Sequence, residues 1–486
     1  MMIDKTSRSR SAMRLPTMIG ICALLMASMP AQAASVAEPV RATTTSGPVI
    51  GRAENGIHVF RGIPYAQPPV GDLRWKPPQP IRWTEDRQAD VFGAPCLQQS
   101  GPEGHPNAGG VVGSSSEDCL YLNVWVPAQV GQDAPIMLWL YGGGGVMGSG
   151  SVPAYQGEAF ARDGVVLVTI NYRHGSLAGF AHPALTREAG ADGLVGNYHL
   201  MDALAAIDWI RANAATFGGD AENLTIFGES AGATMVANLV ASPHARGRFA
   251  KAIIQSSGSL PTAAPTLQRA EEIGSGIATA LGLPGAEAMA EQLRALPAER
   301  LMPNRQSGFG LRTVLDGKIM NASIMDTFVA GRAADIPLII GTNSDEGRLS
   351  GTQRVAALAM SGAPVWQYFF DYVPDWRRPE QPNGVPHAGE IPYVFDTLAH
   401  DRAAARMTPA DHAVAARVHS CWVAFAKSTT GARSLTCVDG FEWPARSLEN
   451  QEAVALFATT SVLGQASELR SPPNGAAPGP TSRDED

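Results

Sequence analysis

Ser230 stands in the run Gly228-Glu229-Ser230-Ala231-Gly232. A neutral serine hydroxyl is a weak nucleophile. It needs a base within hydrogen-bonding reach and an acid to hold that base. The apolar stretch 224–227 before it reads as a strand, and 233–240 after it can form a helix. Strand, sharp turn and helix together make the setting of a nucleophile elbow. Such a turn has no room for side chains on its flanks, a condition that Gly228 and Gly232 meet. It lifts the Ser230 hydroxyl above the strand ends. It also sets the Ala231 N–H beside the oxygen that becomes negative on attack. In elbows of this kind the acid and then the histidine follow the serine along the chain. The partners of Ser230 are therefore sought downstream.

Apolar runs at 136–140, 165–170, 224–227, 253–254 and 337–340 read as buried strands. Runs this continuous suit a sheet covered on both faces. Helix-like stretches such as 201–213 and 413–427 alternate with them. The alternation predicts an α/β fold with a central, mostly parallel sheet flanked by helices. Residues 100–116, rich in Gly and Ser, read as a surface loop. Residues 471–486, rich in Pro, Gly and charge, read as a disordered tail.

The 486 residues are 45% hydrophobic and 17% charged, which excludes a disordered chain. A net charge of -8 argues against a nucleic-acid partner. Lys5, Arg8, Arg10 and Arg14 precede a short apolar run at 18–29, and Ala31-Gln32-Ala33 follows. This pattern predicts a signal peptide at 1–33, cleaved after Ala33, and a periplasmic or secreted protein with no membrane span left. An uncleaved anchor is the competing reading. Removing 1–33 takes Cys22 and leaves Cys96, Cys119, Cys421 and Cys437. An even count in an exported chain suggests two disulfides, with three connectivities open. The cysteines lack the spacing of a zinc site, so no metal is expected.

Two longer motifs carry a resemblance. Phe217-Gly218-Gly219, four residues, then Leu224-Thr225-Ile226-Phe227-Gly228-Glu229-Ser230-Ala231-Gly232 resembles the active-site signature of the type-B carboxylesterases, the cholinesterase-like group. Glu117-Asp118-Cys119-Leu120-Tyr121-Leu122-Asn123-Val124-Trp125-Val126-Pro127 resembles a second signature of that family, and Arg61-Gly62-Ile63-Pro64-Tyr65-Ala66 its N-terminal region. The likeness runs from about 48 to about 444. It implies the α/β-hydrolase fold in one catalytic domain over 34–470, acting on small-molecule esters without a cofactor, and a monomer by default.

By the same resemblance the acid is Glu346, in Asn343-Ser344-Asp345-Glu346-Gly347, with Asp345 as the competing carboxylate. The base is His387, just before Glu390-Ile391-Pro392-Tyr393; His400, His412 and His419 are the other downstream histidines. His412 and His419 fall on or near a helical pattern, at its surface or side. The oxyanion donors are the N–H groups of Gly143, Gly144 and Ala231. The family's pairing implies a Cys96–Cys119 disulfide, leaving Cys421 and Cys437 as a second bridge or as two buried thiols. Arg74 and Glu117 are a structural ion pair.

Two departures stand out. Gly145 follows the glycine run where the family has an aromatic residue, which should widen or loosen the pocket. Only 40 residues separate Glu346 from His387, which predicts a shallower cleft tolerant of bulky esters unless other loops fill the gap. Activity is expected to fall as pH drops through roughly 6–7, since His387 must be neutral. The alternatives are a lipase, amidase or thioesterase on the same scaffold, or a non-catalytic binding protein.

Overall fold

The computed structural model describes residues 38–469, apart from 100, 102–106, 108, 130, 132, 258, 259, 261, 303–312 and 448. The expected signal peptide and tail lie outside the described residues. In chain order the strands begin with β1 (Glu38–Thr43), β2 (Pro48–Glu54), β3 (Ile57–Pro64), β4 (Arg87–Gln88) and β5 (Tyr121–Pro127). Next come β6 (Ala134–Leu140), β7 (Val166–Ile170), β8 (Gly219–Glu229), β9 (Lys251–Gln255) and β10 (Leu338–Asn343). The last are β11 (Val365–Phe370), β12 (Ser434–Thr436), β13 (Glu442–Pro444), β14 (Ala453–Phe457) and β15 (Val462–Gln465).

Thirteen of these form one sheet, ordered β1-β2-β3-β5-β7-β6-β8-β9-β10-β11-β14-β15 with β4 beside β2; β12 and β13 make a separate hairpin. The block β7-β6-β8-β9-β10-β11-β14 is parallel throughout. The strands before it are antiparallel neighbours. This is the mostly parallel α/β-hydrolase sheet that the apolar runs predicted. Every residue of β6, β7, β9 and β10 is buried, as a sheet covered on both faces demands.

From β6 the chain steps to β7 on one side, whereas β8 lies on the other. The carboxyl ends of β6 and β8 therefore flank the crevice where open parallel sheets bind ligands. Packing makes that edge rigid. Trp139 of β6 and Phe227 of β8 are fully buried, with ring centroids 4.8 Å apart. Phe395 packs against both, at 5.0 and 5.8 Å.

Disulfides join Cys96 to Cys119 and Cys421 to Cys437. The second ties helix Pro409–Lys427 to the end of β12, so these cysteines are not free thiols. Arg74 and Glu117 pair through two bonds, of 2.5 and 2.7 Å. Arg74 also donates to the carbonyl oxygens of Leu296 and Arg294, at 2.6 and 2.9 Å. A more deeply buried pair, Arg173 with Asp202, was not foreseen.

Candidate active site

The elbow is where the sequence placed it. Glu229 ends β8, and Ala231 opens helix Ala231–Ala241. Between them Ser230 has φ 55° and ψ −118°. A side chain held at positive φ costs on the order of 1–3 kcal/mol, and such strain persists only where the surroundings enforce it. The Ser230 N–H donates to Gln255 O at 3.0 Å. A Cβ on Gly232 would lie 1.8 Å from Leu140 O, so β6 can approach the turn only because this residue is glycine.

Three elements converge on the hydroxyl. The Ser230 O–H points to His387 Nε2 at 2.7 Å, and His387 Nδ1–H donates to Glu346 Oε1 at 2.9 Å. Thr342 donates to the second Glu346 oxygen at 2.6 Å. The turn after β10 and the segment bearing His387 are tied together. Val385 N–H donates to the Ser344 hydroxyl at 2.8 Å, Asp345 N–H to Val385 O at 3.0 Å, and Asn343 Nδ2 to Pro386 O at 2.9 Å. These bonds fix the distance from Glu346 to His387 whatever lies between them in the chain.

The rival groups stand elsewhere. Asp345 makes no hydrogen bond to His387 among the described residues, and His400 and His412 are exposed. His419 is not at the helix surface, as its pattern suggested, but buried. It bonds to Val394 O at 2.8 Å and faces Asp163 at 3.3 Å.

Gly144 and Ala231 line a cavity with Ser230; Gly143 lies behind them, buried. Gly143 has φ 102°, and a Cβ there would meet Met147 O at 2.2 Å. The Ala231 N–H is one of the donors that a helix start leaves without an intrahelical partner. The Gly143 and Gly144 N–H groups find no protein acceptor among the described residues.

Sequence reasoning missed three residues here. Glu229 is fully buried, with Oε1 3.1 Å from the same His387 Nε2 that faces Ser230. Asn107 was assigned to a surface loop but is buried. It donates to Glu229 Oε2 at 2.8 Å and accepts from Gly142 N–H at 3.2 Å and from the Tyr155 hydroxyl. Arg348 lies against His387, with Nη1 3.1 Å from Nδ1 and 3.3 Å from Nε2. Glu229 sits inside the motif itself, but nothing in a sequence aims it at a histidine 158 positions on.

Burial pushes the Glu229 carboxyl up to about 8, against the pull of His387. Burial also disfavours a charged imidazole at His387. Glu229 and Glu346 outweigh that and hold His387 above the ordinary histidine value, while Arg348 opposes them. Glu229 and His387 therefore influence each other's protonation.

The cavity over Ser230 holds about 440 Å³. Its walls come from helix Ala231–Ala241, from residues 262–265 and from 313–324. From the short stretch between Glu346 and His387 it takes Arg348 alone. Gly145 is buried, and its carbonyl accepts from Gly175 N–H at 2.8 Å. Gly145 is not among the described residues that line the cavity.

A serine–histidine–glutamate line thus stands at the mouth of this sheet. The profile of the Carboxylesterase family matches residues 37–357 and 348–468. The chain belongs to that family. A fumonisin B1 esterase from Sphingopyxis macrogoltabida is 34% identical over 491 residues, covering 86% of this chain and 87% of its own. A para-nitrobenzyl esterase from Bacillus subtilis (strain 168) is 34% identical over 485 residues, covering 86% and 95%. A solved PNB esterase superposes with a TM-score of 0.76 at 29% identity, covering 88% of this chain and 97% of that one. Like these relatives, this carboxylesterase is a carboxylic ester hydrolase that acts on small ester substrates. Among its described residues no helix is long and apolar enough to cross a membrane. Its two disulfides suit an oxidising compartment.

Proposed function

We propose that this carboxylesterase works through Ser230 as nucleophile, His387 as base and Glu346 as the acid that orients it. The observation that carries the reading is the unbroken line from Ser230 Oγ through His387 to Glu346, at 2.7 and 2.9 Å. His387 takes the serine proton as Oγ attacks the ester carbonyl. Glu346 holds the imidazole and stabilises its charged form. Gly143, Gly144 and Ala231 donate to the oxyanion. The alcohol leaves with the proton from His387, and water then cleaves the acyl-enzyme by the same route.

The chain is exported, residues 1–33 are a cleaved signal peptide, and the mature enzyme is one catalytic domain over 34–470 that works as a monomer. Bulky esters fit a cavity to which the segment before His387 contributes so little wall. Graded acyl chains check this, and a sharp fall in rate beyond acetyl counts against it.

The test of the triad is hydrolysis of p-nitrophenyl acetate and butyrate by the mature chain beside Ser230→Ala. Turnover should drop by on the order of 10⁶-fold. Turnover that survives in the variant rules out Ser230 as nucleophile.

A further inference from the structure

Arg348 is the one charged side chain among the described residues that line the cavity. The other polar groups there, including Thr234, Asn238, Thr313 and Ser323, are neutral. Elsewhere the buried arginines Arg74 and Arg173 meet carboxylates through paired bonds. Arg348 makes no ion pair among the described residues. Its Nη1 donates to Ser256 O at 2.5 Å, and its Nη2 and Nε find no protein acceptor there.

The contact with His387 is not a hydrogen bond. Both ring nitrogens are already engaged in the ring plane, one by Glu346 and one by Ser230. An atom nearly equidistant from both must lie over the ring face, because Cε1 blocks the approach in the plane. Nη1 therefore sits over the face of the imidazole, and Nη2 and Nε remain as donors on a side chain that lines the cavity. A cation in this position opposes the positive charge that His387 must gain during the reaction. That cost is offset whenever an anion lies against Arg348.

We propose that the enzyme selects esters bearing a second, ionised carboxyl group a few bonds from the scissile ester, and that Arg348 holds that carboxylate. A guanidinium with free forked donors in a neutral polar wall is built for such a group. The bound anion also cancels the charge over His387, so selection reaches kcat as well as KM. The inference rests on the reading of Ser230 as nucleophile. The chemistry is ordinary hydrolysis: ester and water give acid and alcohol.

Four esters test it in a pH-stat. Ethyl hydrogen succinate carries the anion on the acid side, with ethyl butyrate as its neutral match. Acetoxyacetate carries it on the alcohol side, with ethyl acetate as its match. The wild-type enzyme should favour at least one anionic ester over its match by on the order of ten- to a hundredfold in kcat/KM. The pair that responds tells which side of the ester Arg348 reads. The preference should vanish in Arg348→Gln and return in part in Arg348→Lys, which also controls for misfolding. Hydrolysis of the neutral esters with no anionic preference, or a preference that survives in Arg348→Gln, overturns the proposal and leaves the esterase reading intact. No hydrolysis of any ester, with Ser230 unlabelled by a fluorophosphonate, overturns the esterase reading and this inference with it.

Discussion

Glu229 Oε1 and His387 Nε2 lie 3.1 Å apart, and the same nitrogen faces Ser230 Oγ at 2.7 Å. One ring nitrogen thus faces the proposed nucleophile and a buried carboxyl at once. Glu229 and Glu346 hold the imidazole above its ordinary value of 6.5. The active base is the neutral form, present only above that raised value. The acid limb of kcat/KM should therefore fall above pH 6.5. Glu229→Gln removes one upward influence and should move the limb to lower pH. A limb that stays in place in the variant speaks against the coupling.

Arg348→Gln should shift the same limb the other way. Its guanidinium lowers the imidazole, so removing it raises the pH below which activity is lost. Profiles of the two variants, measured with one neutral ester, should diverge on either side of the wild type.

Gly143→Ala should cost kcat roughly 100- to 1000-fold, the usual loss when an oxyanion donor is displaced. The cause is steric. The new methyl would meet Met147 O, at a backbone φ that side chains rarely adopt. Steady-state kinetics beside a thermal melt separates lost donation from lost fold.

Arg74→Met should destabilise the protein by about 3 kcal/mol, because Glu117, with a side chain only 10% exposed, is left without its partner. Adding Glu117→Leu should recover part of the loss. Denaturant midpoints of the single and double variants check this.

Replacing Cys96 and Cys119 together by alanine should cost about 3 kcal/mol, given the separation of 23 residues that the bond closes. The comparison is equilibrium unfolding of oxidised wild type and double variant.

What could be read from the sequence was what is local. The strand–turn–helix pattern around Ser230 lies in consecutive residues, so its elbow was visible. The apolar runs of β6 to β10 were visible for the same reason, being buried on both faces. Of the antiparallel strands, β1 has no buried residue and β2 and β3 interleave buried with half-exposed ones, so no long continuous run marks them. Glu346 and His387 were found by resemblance, since 41 positions part them and only the bonds between 343–345 and 385–386 bring them together. Asn107 could not be found. Its carboxylate partner is 122 positions away, and its own loop reads as solvent-facing. Arg348 looks like any charged residue after a glycine turn until the fold lays it on His387.

Asn107 lies between Cys96 and Cys119 in the chain, inside the loop that their disulfide closes. It is also the residue that steadies Gly142 and Glu229 behind the nucleophile. The covalent bond therefore does more than stiffen a distant part of the fold, because it shortens the tether on a side chain beneath the reacting atoms. A reduced chain must find that placement from a far wider set of loop shapes. Closing the bond thus narrows the search that sets Asn107 beneath Ser230.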